Sequence, residues 1–131
     1  MEGEPNIPMD EVIRRDGRYP AEAFAFLHEG LNKAVRDVFG EQAAPEGQRH
    51  VSGKQLCEAL RDLAVERWGM LARTVLARWN IRKTVDFGNM VYLLIDNNYM
   101  RKTDEDSLDD FRDVYDFDKA FSGYNSFELK E

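Results

Sequence analysis

Pro20-Ala21-Glu22-Ala23-Phe24-Ala25-Phe26-Leu27-His28-Glu29-Gly30-Leu31-Asn32-Lys33-Ala34-Val35-Arg36-Asp37-Val38-Phe39-Gly40 is the stretch that decides the fold. Phe24, Leu27, Leu31, Val35 and Val38 recur at steps of three or four, which sets them on one face of a helix. Phe26 and Phe39 widen that stripe. Pro20 suits a first helical position, where its missing N–H is not needed. Gly40 supplies the stop, because it accepts left-handed backbone without a steric penalty.

Towards the N-terminus, residues 1–8 hold two prolines and few apolar groups and read as a loose arm. Asp10 can cap a short helix that carries Val12 and Ile13 and stops by Gly17. Towards the C-terminus, Ala43-Ala44-Pro45-Glu46-Gly47 marks a loop over 41–51. Ser52 and Gln55 then form a capping-box pattern. The helix behind them, with Leu56, Leu60, Leu63 and Ala64, runs to about Trp68, and Gly69 breaks it. A second run carries Leu71, Ala72, Val75, Leu76 and Trp79 and ends at Asn80, which tolerates the left-handed region. Thr84 can cap a further helix with Phe87, Met90, Val91, Leu94 and Ile95 on its apolar face, ended by Asn97-Asn98.

Beyond that helix the pattern changes. Residues 99–103 read as a short strand, 104–107 as a turn cluster, and Ser107 with Asp110 as the start of a helical turn. Val114-Tyr115-Asp116-Phe117 alternates apolar and polar, as a half-exposed strand does. Phe121, Tyr124 and Phe127 can pack a tail onto the body. The expected architecture is therefore mainly α: one domain over 9–131, a bundle of about five helices with a short C-terminal β-hairpin. The order of helices at 52–68, 70–79 and 84–97 before a hairpin at 99–103 and 114–117 gives residues 52–117 a winged-helix-like arrangement.

From Arg15 to Phe121 the chain resembles an uncharacterised bacterial protein family of planctomycetes and related phyla. The likeness is carried by Arg15-Asp16-Gly17-Arg18-Tyr19-Pro20, Arg49-His50-Val51-Ser52-Gly53, Leu71-Ala72-Arg73-Thr74-Val75-Leu76 and Lys102-Thr103-Asp104-Glu105-Asp106-Ser107. It brings no activity and no site residues.

The net charge of −7 is unevenly placed. Residues 104–131 contain ten acids against three bases, which is the whole excess; residues 1–103 balance. The longest apolar run, Met90 to Ile95, is far short of the roughly 20 residues that span a bilayer, so no membrane segment is expected. The acidic start of the chain lacks the basic and apolar regions of a signal peptide, and a lone Cys57 rules out an internal disulfide. A cytoplasmic location is the expectation.

Two charged clusters are candidate sites. Arg67, Arg73, Arg78, Arg82 and Lys83 occur with no acid between them and with Trp68 and Trp79 in the same stretch. Arginine reaches phosphates and tryptophan can stack, which points to an anion or nucleic-acid contact. The competing reading is buried tryptophans and arginines paired with the acidic end of the same chain. Docking of the helix at 84–97 in a major groove would present Asp86, Asn89, Tyr92 and Asp96, and phosphate repulsion of two acids opposes it. The second cluster is Asp104, Asp106, Asp109, Asp110 and Asp113. It reads either as a patch for a basic partner or as a solvated face; it lacks the central glycine and final glutamate of a calcium loop.

His28, His50 and Cys57 are too few for a four-ligand zinc site, and a Cys57–His50 nucleophile pair competes with Cys57 as a small core residue. No phosphate-loop, dinucleotide, zinc-protease or nucleophile-elbow motif occurs. The expectation is a non-enzymatic protein-interaction module with an acidic patch and no metal or cofactor. The alternatives are a nucleic-acid-binding domain using the basic stretch and an enzyme with a Cys57 nucleophile. Homodimerisation through an uncovered apolar helix face is a further expectation.

Overall fold

In the computed structural model of the chain, residues 7–40 and 50–121 are described. The expected arm, apart from Ile7 and Pro8, lies outside them, as do most of the 41–51 loop and both Tyr124 and Phe127. Five α-helices follow in order: α1 (Met9–Asp16), α2 (Ala21–Phe39), α3 (Gly53–Trp68), α4 (Ala72–Arg78) and α5 (Thr84–Asp96). Short 3₁₀ turns lie at Gly69–Leu71 and Leu108–Phe111, and a helical turn occupies 117–121. No helix among the described residues is long and apolar enough to cross a membrane.

α2 and α3 form the central pair. Phe24, Phe26, Leu27 and Ala34 of α2 are buried against Leu56, Leu60, Leu63 and Ala64 of α3. The helices approach closely because Gly30 faces Leu60; a methyl group at Gly30 would fall within Leu60's side chain. α3 starts where the sequence signals it. The Ser52 hydroxyl accepts from Gln55 N–H and the Gln55 side chain accepts from Ser52 N–H. Pro20 stands one position earlier than expected, as the residue flanking α2, and Pro8 rather than Asp10 flanks α1.

α4 and α5 end alike. Asn80 and Asn98 adopt positive φ of 67° and 66°. Each lets the following N–H reach back, Ile81 to the Leu76 carbonyl and Tyr99 to the Leu94 carbonyl, at 2.9 and 2.8 Å. This left-handed stop satisfies carbonyls the helix would otherwise leave open and turns the fully buried Ile81 inward. Leu71, expected on the apolar face, is 62% exposed in the corner between α3 and α4.

The C-terminal segment is where the sequence reading and the structure part. The expected β-hairpin is not formed: no strand occurs among the described residues. Ser107 and Asp110 do open a 3₁₀ turn, with Ser107 Oγ accepting from Asp109 N–H and Asp110 Oδ2 accepting from Ser107 N–H. That turn drives Phe111 into a slot floored by two glycines. A Cβ on Gly53 would lie 2.9 Å from Phe111 Cε1, and one on Gly88 2.7 Å from Phe111 Cγ. Thr84, expected as a cap, is instead buried under this segment, where its hydroxyl donates to the Phe111 carbonyl at 2.6 Å and accepts from Val114 N–H at 3.2 Å. Tyr115 donates to the Cys57 carbonyl at 2.6 Å. Val114 N–H, which a hairpin would pair across a ladder, is thus bonded to α5, and the Tyr115 side chain ties the segment to α3.

Candidate functional site: an arginine-lined cleft

α4 is short, but its spacing is informative. Arg73 and Ala77, and Thr74 and Arg78, are each four apart and so share a face. The turn after α4 brings Arg82 alongside, and its guanidinium donates to the Ala77 carbonyl at 3.4 Å. Arg73, Thr74, Arg78 and Arg82 line one cleft of about 410 Å³ whose floor is Ile81 and Phe117. That volume lies within the range of small-molecule sites.

The floor is fixed from two directions. Phe117 packs on Phe87 and Tyr115, with ring centres 6.2 and 5.9 Å away, and on Phe121 at 5.2 Å. Asp86 holds the backbone of the turn that carries Arg82 and Lys83. Its carboxylate accepts from Arg82 N–H at 2.8 Å and Lys83 N–H at 3.1 Å, and from the Tyr19 hydroxyl at 2.7 Å. Burial pushes the Tyr19 phenol up to about 12, so it stays protonated and donates to Asp86 while accepting from Asn89. Asp86, Asn89 and Tyr92, read as an exposed face of α5, are therefore half-buried; of that set only Asp96 is exposed.

An adjoining cleft of about 420 Å³ shares Arg73, Arg82 and Phe117 and adds Lys83, Asp113, Asp116 and Asp118. Arg73 Nη2 and Asp118 Oδ1 meet at 2.8 Å, so one of the basic residues does pair with the acidic end of the chain. Arg78, Arg82 and Lys83 have no carboxylate at ion-pair distance among the described residues. Arg67 is not part of the cleft; it pairs with Glu29 across α2 and α3. The tryptophans are half-buried and already packed on other rings, Trp68 edge-on to Trp79 at 5.6 Å and both tilted against Phe26 at 5.2 and 5.8 Å.

The acidic cluster is arranged differently. Asp106 accepts from Thr103 N–H at 2.7 Å and from His50 Nε2 at 2.8 Å. Partial burial works against its ionised form, but these hydrogen bonds outweigh that and hold the carboxyl below its ordinary value. Asp109 pairs with Arg112 at 2.7 Å, and Asp110 is engaged at Ser107. Asp104 and Asp113 remain exposed. No group of three metal-ligating side chains occurs among the described residues.

No family model, no curated protein and no solved structure matches the chain.

The remaining cavities offer less chemistry. A groove of about 590 Å³ between α1, α2 and α5, lined by Met9, Phe24, Leu31, Leu94 and Met100, is almost wholly apolar. His50 is bonded to Asp106 and not to Cys57. Cys57 is fully buried, and burial pushes its thiol up to about 12, which leaves almost no thiolate at neutral pH. Sequence reading singled out the arginines of the cleft but missed its floor. Phe117 lies about forty positions away along the chain, and nothing local ties it to α4.

Proposed function

We propose that the chain is a non-enzymatic interaction module that recognises an anionic group of its ligand through Arg73, Arg78 and Arg82. The observation that carries this reading is that Arg73, Thr74, Arg78 and Arg82 line one cleft, with no carboxylate among its described lining residues. Guanidinium offers planar, paired donors that suit phosphate and carboxylate oxygens. The apolar floor excludes water on one side, which strengthens each contact. Of the two charged faces, the basic one supports recognition better, because Asp106, Asp109 and Asp110 are engaged within or beside their own segment.

A compact anionic group fits this cleft better than a nucleic-acid backbone. A duplex or extended strand crossing the arginines would run onto Asp113, Asp116 and Asp118 in the adjoining cleft, where phosphates are repelled. The hairpin that would act as a wing is not formed, and most of the α5 face that would enter a groove is partly covered. Burial of the thiol and the pairing of His50 with Asp106 argue against Cys57 as a nucleophile.

Thermal unfolding in phosphate, against chloride at equal ionic strength, tests the reading. Phosphate at ten times its dissociation constant should stabilise by about 1.4 kcal/mol and raise the Tm by roughly 5 °C. The triple variant Arg73→Gln/Arg78→Gln/Arg82→Gln should lose that increment. An equal rise in the variant would mean that phosphate acts on the surface generally and not at the cleft.

A further inference from the structure

We propose a second binding site, in the apolar groove between α1, α2 and α5, for a small free molecule with an apolar body and one uncharged oxygen acceptor, such as an alcohol. The groove holds about 590 Å³, within the range of small-molecule sites. Among the described residues it shares no lining residue with the arginine cleft or the cleft beside it. Phe24, Leu27, Leu31, Leu56, Val91 and Leu94 give it apolar walls. Polar side chains are few. The Tyr99 hydroxyl is taken up by the Ile7 carbonyl at 2.7 Å, and Asp10 and His28 are exposed.

What singles this groove out is the smaller cavity next to it. That cavity holds about 170 Å³, and Leu31, Leu56, Val91 and Met100 line both. Met100 is half-buried and unbranched, so it is the side chain at the border best able to make way for a ligand. Tyr92 lines the smaller cavity, and its Oη is buried with no hydrogen-bond partner among the described residues. Buried hydroxyls are nearly always bonded, so this oxygen marks the place for a ligand's polar end. Burial raises the Tyr92 pKa, and Asp106, Asp110 and Asp96 raise it further. The hydroxyl therefore stays protonated and donates. The acceptor it suits is uncharged. Asp106 and Asp110 line the same cavity and repel a carboxylate or phosphate. Arg101 and Lys102 line it as well and oppose an ammonium. With acids and bases matched, the cavity favours neither sign of charge. An apolar pocket with a polar group fixed at one end orients a ligand of matching polarity.

Calorimetric titration of the full chain with 1-octanol tests the proposal. One molecule should bind per chain, saturably, below the solubility of the alcohol. Tyr92→Phe removes only the hydroxyl and should weaken binding about three- to tenfold, the fold-change of one lost hydrogen bond. Ala25→Trp places a bulky ring on an exposed lining residue of α2 and should abolish binding with little change in Tm. Octanoate and octylammonium should each bind at least about tenfold more weakly than octanol, since either charge is desolvated beside a like one. Absence of saturable octanol binding overturns the proposal, as does binding that survives Ala25→Trp or is unchanged in Tyr92→Phe. Tighter binding of octanoate would show that Arg101 and Lys102 choose an anionic end, which overturns the uncharged one. A dimer in sedimentation that Ala25→Trp dissociates would show that a second copy covers the groove, and that too overturns the proposal.

Discussion

Phe111→Ala is expected to destabilise the protein by about 3–5 kcal/mol, seen as a lower urea midpoint with an unchanged m-value. The ring is 5% exposed and fills a slot made by the bare backbones of Gly53 and Gly88. Helices held at that separation cannot close the gap when the ring is removed, so the transfer loss and the cavity add together. A loss of this size is a large fraction of the roughly 5–15 kcal/mol that holds a typical domain folded. It would also loosen the C-terminal segment, because Thr84 bonds the Phe111 carbonyl and Val114 N–H. Phe117 follows six residues later, so phosphate affinity should weaken in the same variant. A change under about 1 kcal/mol would show that the segment is not seated through this ring.

Much of the helical frame could be read in advance. The apolar steps of α2, the Ser52–Gln55 box and the asparagine stops are local signals, and a helix end depends chiefly on its own few residues. The C-terminal segment failed for a specific reason. Tyr115 and Phe117 do share a side and stack at 5.9 Å, so the alternation over 114–117 is real. Alternation reports which way side chains point, whereas a strand also needs a partner for its backbone groups. Here the Thr84 side chain of α5 takes the Val114 N–H, and the Tyr115 hydroxyl is tied to α3. The cleft was half legible in the same sense. A run of bases without acids exposes the arginines to view, but the floor residue Phe117 and the Asp118 carboxylate that meets Arg73 come from a segment whose approach to α4 is tertiary.

Gly30→Val is expected to cost about 2–3 kcal/mol. In an isolated helix this substitution would be mildly favourable, since glycine is the poorer helix former. Here the added Cβ would occupy the position of Leu60's terminal carbons, with Leu60 Cγ only 2.8 Å away. Leu60 is fully buried and has no solvent to swing into, so α2 and α3 must separate. The sign is diagnostic: a stabilised variant would show that helix propensity outweighs the close approach. Leu60→Ala in the Gly30→Val background should cost less than Leu60→Ala alone by about 1–2 kcal/mol, because the two changes share one space. Equal costs in the two backgrounds would mean that the residues do not meet.

Residue-resolved nuclear magnetic resonance during a phosphate titration tests the functional account most directly. Signals of Arg73, Thr74, Arg78 and Arg82 should shift together with one dissociation constant, with Asp118 moving in the same step. Shifts confined to other surfaces, such as the Arg67–Glu29 pair or the N-terminal end of α1, would contradict it.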